Sequence, residues 1–129
     1  MPSDVILVVE DNEQNMELAS FLLEEAGYDV RRATTLDEAR RVLAGERPDL
    51  LLMDMNVAGA DGLTLVTELR GNPGHRFPIV ALTAHAMRGD RERFLAGGCD
   101  GYIAKPINTR TFLEEVGRYL PRGARGPEA

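Results

Sequence analysis

The sequence predicts a doubly wound α/β fold, in which helices cover both faces of a five-stranded parallel sheet. Short apolar runs alternate five times with segments of helical periodicity, which is the pattern of repeated βα units. The first, third and fourth runs are continuously apolar, as is typical of strands buried on both faces. Right-handed crossovers, with the polar second strand at a sheet edge, favour the strand order 2-1-3-4-5.

Each strand is expected where an apolar run stops at a polar residue or a turn. The five runs cover residues 5–9, 29–33, 49–53, 78–82 and 101–104. The second run contains Asp29, Arg31 and Arg32, and this polarity is the reason for placing it at the edge.

Five helices are expected, one after each strand. The first covers residues 13–26 and stops at Gly27. The second begins at Thr35, which has capping-box spacing to Glu38, and ends near Gly45. The others cover residues 62–70, 88–96 and 109–120. The expected apolar stripes are Leu18, Phe21, Leu22 and Ala26 on the first helix and Phe112, Val116 and Leu120 on the last.

Composition limits the class of protein. The 129 residues suffice for one domain with a real core, and with 5% aromatic residues and no Trp that core must be aliphatic. The net charge of −6 argues against direct nucleic-acid binding, which relies on neutralising phosphates. The single cysteine, Cys99, excludes an internal disulfide. Residues 1–120 are expected to form the domain, and the Pro/Gly/Arg-rich residues 121–129 are expected to be disordered.

The N-terminus and the hydropathy pattern indicate a cytoplasmic protein. No apolar stretch approaches the roughly 20 residues that span a bilayer. The first residues, Met1-Pro2-Ser3-Asp4, lack a basic region, and the apolar run after them is too short for a signal peptide.

Polar residues stand where the predicted strands end. Glu10 and Asp11 follow the first strand, Asp54 the third, Thr83 the fourth and Lys105 the fifth. The carboxyl ends of parallel strands share one edge of the sheet, and open α/β sheets bind their ligands there. Three carboxylates meeting at that edge repel one another unless a cation neutralises them or one stays protonated. Mg²⁺ prefers such hard oxygen ligands, often together with a phosphate.

Each residue also has a purely structural interpretation. Glu10 and Asp11 suit the first turn of a helix, where acids favour the positive end of the helix dipole. Asp54 could cap a loop through backbone amides, although a strand end is a costly place for a lone carboxylate. A single Lys105 is most often a solvated surface group, and His85 is more easily a bystander than a metal ligand. Only the convergence of the strand-end residues is specific.

At these positions the chain resembles the receiver domain of two-component response regulators. The resemblance covers residues 5–120 and implies a flavodoxin-like receiver fold. It rests on four motifs in the family's order and approximate spacing: Val8-Val9-Glu10-Asp11-Asn12, Leu51-Leu52-Met53-Asp54, Ala81-Leu82-Thr83-Ala84 and Tyr102-Ile103-Ala104-Lys105-Pro106.

The resemblance implies a role for each site residue. Asp54 would be the phosphoacceptor, and Thr83 and Lys105 would contact phosphoryl oxygens. On phosphorylation Thr83 would move toward the phosphate and Tyr102 would rotate inward. The implied ligands of Mg²⁺, or of Mn²⁺ in its place, are Glu10, Asp11, Asp54 and the backbone carbonyl of Asn56. Asn56 and His85 would tune loss of the phosphoryl group, and the bond before Pro106 would be cis.

The resemblance also implies partners. The phosphoryl donor would be a histidine kinase or a histidine phosphotransfer protein, and the output would be a contact with a downstream protein target. No nucleic-acid or membrane contact is expected, and the chain would act as a monomer or as a phosphorylation-linked homodimer. It would be a signalling domain that promotes its own phosphorylation and autodephosphorylation, not an enzyme. It is expected to be either a stand-alone regulator or a module of a longer protein.

Two departures from the family pattern stand out. Val57-Ala58 replaces the usual Met/Leu-Pro pair, which predicts a more mobile loop. Glu10-Asp11 replaces the Asp-Asp of many members, as in receivers of hybrid kinases and some stand-alone regulators.

Three other classes of protein are the alternatives. A Mg²⁺-dependent phosphohydrolase usually needs a second Asp where Asn56 stands, an intact site argues against a phosphorylation-independent pseudo-receiver, and a flavodoxin-like cofactor binder would need a phosphate loop after the first strand.

Overall fold

The structure, a computed structural model, describes residues 4–72, 76–84 and 88–120. Strands and helices alternate along the chain, with one small hairpin after the third strand. The strands are β1 Val5–Val9, β2 Asp29–Ala33, β3 Leu50–Asp54, β4 Asn56–Val57, β5 Ala60–Asp61, β6 Ile79–Thr83 and β7 Gly101–Ala104. The helices are α1 Glu13–Glu25, α2 Leu36–Gly45, α3 Gly62–Arg70, α4 Arg88–Ala96 and α5 Phe112–Gly117.

The main sheet confirms the predicted topology. Five parallel strands lie in the order β2-β1-β3-β6-β7, which is the predicted 2-1-3-4-5 when the hairpin strands are not counted. The three middle strands, β1, β3 and β6, are the continuously apolar ones, and all of their residues except Val5 are buried. The polar β2 lies at the edge, as expected.

The sheet divides the core into two halves, and helices cover each half. Because successive side chains of a strand point to opposite faces, Leu51 and Met53 join the cluster under α2, α3 and α4. Leu50 and Leu52 join the cluster under α1 and α5. This covering of both faces is the doubly wound arrangement, and it leaves the carboxyl edge of the sheet for the site.

The predicted stripe of α1 is only partly confirmed, because two of its residues, Leu18 and Leu22, are partly buried against the core and the other two are exposed. The buried residues are Met16, Ala19, Ser20 and Leu23, whereas Phe21 is 59% exposed and Ala26 is exposed. Apolar residues surround much of this helix, so spacing alone does not select the face that meets the sheet.

The last helix is shorter than predicted. Residues 109–120 were expected to be helical, but α5 covers only Phe112–Gly117. Asn108 explains the late start, because its side chain accepts from the N–H of Arg110 and its carbonyl accepts from that of Thr111, so a turn forms first. The predicted stripe is confirmed, since Phe112, Val116 and Leu120 are all buried.

The hairpin β4–β5 was not predicted. It pairs Asn56 with Asp61 and Val57 with Ala60, and its turn holds Ala58 and Gly59 at φ of 51° and 83°. The expected disorder of residues 121–129 concerns a segment outside the described ranges. Across those ranges, no helix has both the length and the apolar character needed to cross a bilayer.

Candidate functional site

The register of the sheet brings the strand-end residues to one level. Asp54 is paired with Leu82, so Thr83 lies one residue further along the neighbouring strand. Thr83 is paired with Ala104, and the N–H of Lys105 continues that ladder by donating to the carbonyl of Thr83 at 2.8 Å. On the other side of β3, Val9 is paired with Met53, which places Glu10 level with Asp54.

Three carboxylates meet at this edge. One oxygen each from Glu10, Asp11 and Asp54 lies within 4.8 Å of the others. Glu10 and Asp54 are buried, whereas Asp11 is exposed. A cluster of hard anionic oxygens with one open side suits a small divalent cation that keeps some of its water. The donor set therefore fits Mg²⁺.

Lys105 provides the positive charge of the site. Its Nζ lies 2.9 Å from Glu10 Oε1 and 3.2 Å from Asp54 Oδ1. Burial opposes the charge on Lys105, but the carboxylates of Glu10 and Asp54 outweigh it and raise the pKa of the ammonium. The ammonium is thus the internal counter-ion of a pair of buried acids.

Burial has the larger effect on Asp54. Loss of water around this carboxyl, together with the nearby charge of Glu10, raises the pKa of Asp54 to about 6. The N–H of Asn56, which donates to Asp54 Oδ1 at 3.1 Å, and the ammonium of Lys105 act in the opposite direction. At neutral pH the carboxylate is therefore mostly ionised but poorly solvated, as suits a nucleophile.

The site opens into a cleft of about 700 Å³. The predicted site residues Glu10, Asp11, Asp54, Thr83 and Lys105 all line it. Thr83 is buried, at 2% exposed. Further lining residues are Asn56 and Pro106, and the Lys105–Pro106 peptide bond is cis, as expected.

Other residues at the cleft had no signal in the sequence. Asp90, Arg93 and Phe94 of α4 line its wall, and Arg93 forms an ion pair with Asp61 at 3.1 Å. Their position depends on how α4 packs beside the sheet, which no local pattern specifies.

The hairpin β4–β5 contacts the carboxylates through its backbone. The N–H of Asn56 reaches Asp54, and the N–H of Ala58 donates to Asp11 Oδ2 at 2.8 Å. Gly62, which follows the hairpin, lies so close to Asp54 that a Cβ there would overlap the Asp54 carbonyl oxygen. The sequence offers a glycine and a turn here, but not these contacts.

One predicted switch residue, Tyr102, lies apart from the carboxylates. Tyr102 on β7 is half-buried against the core under α4, and the guanidinium carbon of Arg91 lies 5.2 Å from its ring centroid. His85 is outside the described residues.

Comparisons with known proteins agree with this geometry. Residues 6–117 match the family model described as the response regulator receiver domain. The polar-differentiation response regulator DivK of Brucella anthropi is 42% identical over 121 residues, covering 93% of this chain and 98% of DivK. DivK of Brucella ovis is 40% identical over 116 residues, covering 89% and 94%.

Solved structures show the same fold. The receiver domain of the sensor histidine kinase PA1611 from Pseudomonas aeruginosa is 36% identical with a TM-score of 0.80, covering 91% of this chain and 97% of that one. That crystal structure has a magnesium ion coordinated in its active-site cleft. The chemotaxis response regulator CheY4 of Vibrio cholerae is 28% identical with a TM-score of 0.86, covering 92% and 99%.

Proposed function

This chain belongs to the response regulator receiver domain family, and we propose that Asp54 is the residue through which it is switched by phosphorylation. Membership in the family makes phosphorylation-dependent signalling its function. The main support for assigning this role to Asp54 is that Glu10, Asp11 and Asp54 lie together with the ammonium of Lys105 at one sheet edge. Asp54 is the buried acid at the centre of the sheet edge, between the strands that carry Glu10 and Thr83.

We assign the attack to Asp54 Oδ2, because Lys105 and the Asn56 N–H both contact Oδ1. The oxygen forms a bond to the phosphorus of a phosphohistidine, and the phosphorus–nitrogen bond breaks. Its electron pair stays on the imidazole, which takes up a proton as it leaves. Phosphoryl transfer of this kind needs mainly positioning and neutralisation of oxygen charge.

The carboxylate cluster and the ammonium of Lys105 support a set of neutralising groups, which the family resemblance completes. Glu10, Asp11, Asp54 and the carbonyl of Asn56 would hold Mg²⁺, or Mn²⁺ in its place. When bound, the metal would supply positive charge to the carboxylates and to the phosphoryl oxygens. Lys105 would exchange one carboxylate partner for a phosphoryl oxygen, and the hydroxyl of Thr83 would donate to another.

The change at Asp54 would reach the surface through Thr83 and Tyr102. Thr83 lies on β6 and Tyr102 on the neighbouring strand β7. A movement of Thr83 toward the phosphate would therefore alter the space around Tyr102. This is a local charge event that biases a surface with two arrangements. The face built from α4, β7 and α5 would then bind a downstream protein, and a homodimer through it is the alternative arrangement.

The phosphoryl donor would be a histidine kinase or a histidine phosphotransfer protein in the cytoplasm. Asn56 lines the cleft beside Asp54 and would affect water attack on the phosphate. By resemblance, His85 would do the same. We expect His85→Ala to change the rate at which the phosphorylated protein decays, and an unchanged rate would contradict this role.

Intact mass spectrometry tests the proposal directly. We would incubate the protein with a small acyl-phosphate donor, with Mg²⁺ or with EDTA. Wild type should gain one phosphoryl group only with the metal, and Asp54→Asn should gain none. Asp37→Asn, which removes an exposed carboxylate of α2, is the matched control and should behave as wild type.

Other results would point to other functions. No adduct under any metal condition would indicate a pseudo-receiver that binds partners without phosphorylation. Continuous turnover of a phosphate ester, without an accumulating adduct, would indicate a phosphohydrolase.

A further inference from the structure

Packing and hydrogen bonds fix the three acidic side chains of the site to different degrees. Glu10 is buried and accepts from the N–H of Asn12 at 3.1 Å, in addition to its contact with Lys105. Asp54 is buried and is held by Lys105 and by the N–H of Asn56. Asp11 is exposed on the loop between β1 and α1, so packing does little to fix its side chain. Its orientation must come from a specific contact.

That contact comes from the hairpin. The N–H of Ala58 donates to Asp11 Oδ2 at 2.8 Å, a distance typical of charge-assisted hydrogen bonds to a carboxylate. Ala58 lies 47 positions away from Asp11 in the sequence, so the bond joins the loops after β1 and β3. Asn56 makes the equivalent bond to Asp54, two residues earlier. Alternate amides of one short segment thus reach two carboxylates of the site.

The backbone of Ala58 is unusual in a way that fits this role. Within the described ranges it is the non-glycine residue with positive φ, at 51°. Alanine is disfavoured in this region, and such conformations persist where the surroundings impose them, often at functional sites. Proline at this position would lack the N–H altogether. The bond to Asp11 is therefore available because residue 58 is not proline.

We propose that the Ala58 N–H is a positioning group for the cation site, holding the exposed carboxylate of Asp11 in the orientation that binds metal. The inference rests on the proposed function, since it concerns the same Mg²⁺ site. On this proposal, the backbone of the β4–β5 hairpin contributes part of the affinity of this chain for the metal. Groups that orient metal ligands typically change affinity by about 10- to 100-fold, and the solvent exposure of this bond favours the lower value, about tenfold.

Two variants of residue 58 separate the amide from the side chain. Ala58→Pro removes the N–H but also locks φ at about −65°, away from the 51° of Ala58, whereas Ala58→Gly keeps the N–H and relieves the positive φ. We would measure Mg²⁺ binding to each unphosphorylated protein by isothermal titration calorimetry. Ala58→Pro should bind about tenfold more weakly than wild type, and Ala58→Gly should retain the affinity because its N–H is intact.

A double-mutant cycle tests whether the effect passes through Asp11. In an Asp11→Ala background the amide has no carboxylate to orient, so Ala58→Pro should cause no additional loss of Mg²⁺ affinity. A loss that persists there would overturn the proposal, because the substitution would then act through the shape of the hairpin. Equal affinities of the proline and glycine variants in the wild-type background would overturn it too, while leaving the proposed function intact.

Failure of the proposed function gives a different result. If wild type binds no Mg²⁺, the metal site and the role of Ala58 both fall, and the intact-mass experiment shows whether phosphorylation survives. Thermal unfolding in EDTA shows whether each variant folds. Should Ala58→Pro not fold, replacing Ala58 by its α-hydroxy acid deletes the N–H without restricting φ, and the same tenfold loss is expected.

Discussion

Replacing Asp54 by Asn should stabilise the metal-free protein at neutral pH. The carboxyl is 4% exposed, and burial raises the pKa of Asp54 to about 6 from an ordinary value of 3.8. Ionising it in the folded state therefore costs free energy relative to the unfolded chain, in spite of the nearby Lys105. Asparagine has nearly the same shape and never ionises, so it avoids that cost.

The sign and size follow from proton linkage. Between the two pKa values the folded state binds more protons than the unfolded state, so the free energy of unfolding falls as pH rises. The contribution of Asp54 is fully present below about pH 4 and is lost as pH rises through about 6. At about 1.4 kcal/mol per pH unit, the difference corresponds to about 3 kcal/mol. Because Lys105 loses one of its two carboxylate partners in the variant, we expect a net gain of about 1 to 3 kcal/mol at pH 7.

Urea unfolding followed by far-UV circular dichroism measures this gain. Wild type and Asp54→Asn would be compared in EDTA at pH 4.5 and pH 7, with Asp37→Asn as the control for loss of an exposed charge. The gap between Asp54→Asn and wild type should be small at the lower pH and should widen at pH 7. Added Mg²⁺ should then stabilise wild type more than Asp54→Asn, since only the folded wild type presents the full set of carboxylates.

Two results would refute this reasoning. Asp54→Asn could be less stable than wild type at pH 7 in EDTA, which would mean that the ion pair with Lys105 outweighs the cost of burial. Alternatively, the gap could be the same at both pH values, which would mean that Asp54 does not titrate between them.

Three further predictions concern other parts of the fold. Gly62→Ala places a Cβ against the carbonyl oxygen of Asp54, so it should lower the free energy of unfolding by about 2 kcal/mol and reduce phosphorylation. Gly45→Ala, where a Cβ meets open space, is the control and should have neither effect. Urea unfolding measures the stability, and intact mass measures the phosphorylation. The guanidinium of Arg70 donates to two backbone carbonyls and a carboxylate. Arg70→Lys should therefore lower the free energy of unfolding by about 2 kcal/mol without preventing phosphorylation, and a variant as stable as wild type would contradict this. Burial raises the pKa of the Cys99 thiol to about 11, so iodoacetamide at pH 8 should modify it in urea but hardly at all in the native protein, and rapid native labelling would show that the thiol is accessible.

The sequence was sufficient for the sheet and for the residues that meet at its edge. Continuous apolar runs identify β1, β3 and β6, and the handedness of the crossovers then limits the strand order. Once the order is known, the convergence of Glu10, Asp54, Thr83 and Lys105 follows, because each lies at the end of a strand or one residue beyond it. No knowledge of side-chain packing is needed for that step.

Features that depend on packing or on backbone geometry could not be predicted. The face of α1 that meets the sheet was predicted only in part, because apolar residues surround much of that helix. Arg93 reaches the cleft only through the docking of α4. The turn at Ala58 uses a backbone conformation that alanine rarely adopts, so composition gives no hint of it. These are the features that shape the cleft around the carboxylates.

Stability and switching draw on the same charges in this site. Glu10 and Asp54 are buried acids that share one ammonium, so the metal-free edge is already short of positive charge. A phosphoryl group adds more negative charge and competes for Lys105, which can contact the phosphate only by giving up part of its contact with the carboxylates. Substitutions that relieve the repulsion, such as Asp54→Asn, would stabilise the fold and also remove the proposed phosphoacceptor. On the proposed mechanism, the repulsion among the acids would therefore be a cost in stability that comes with the signalling function.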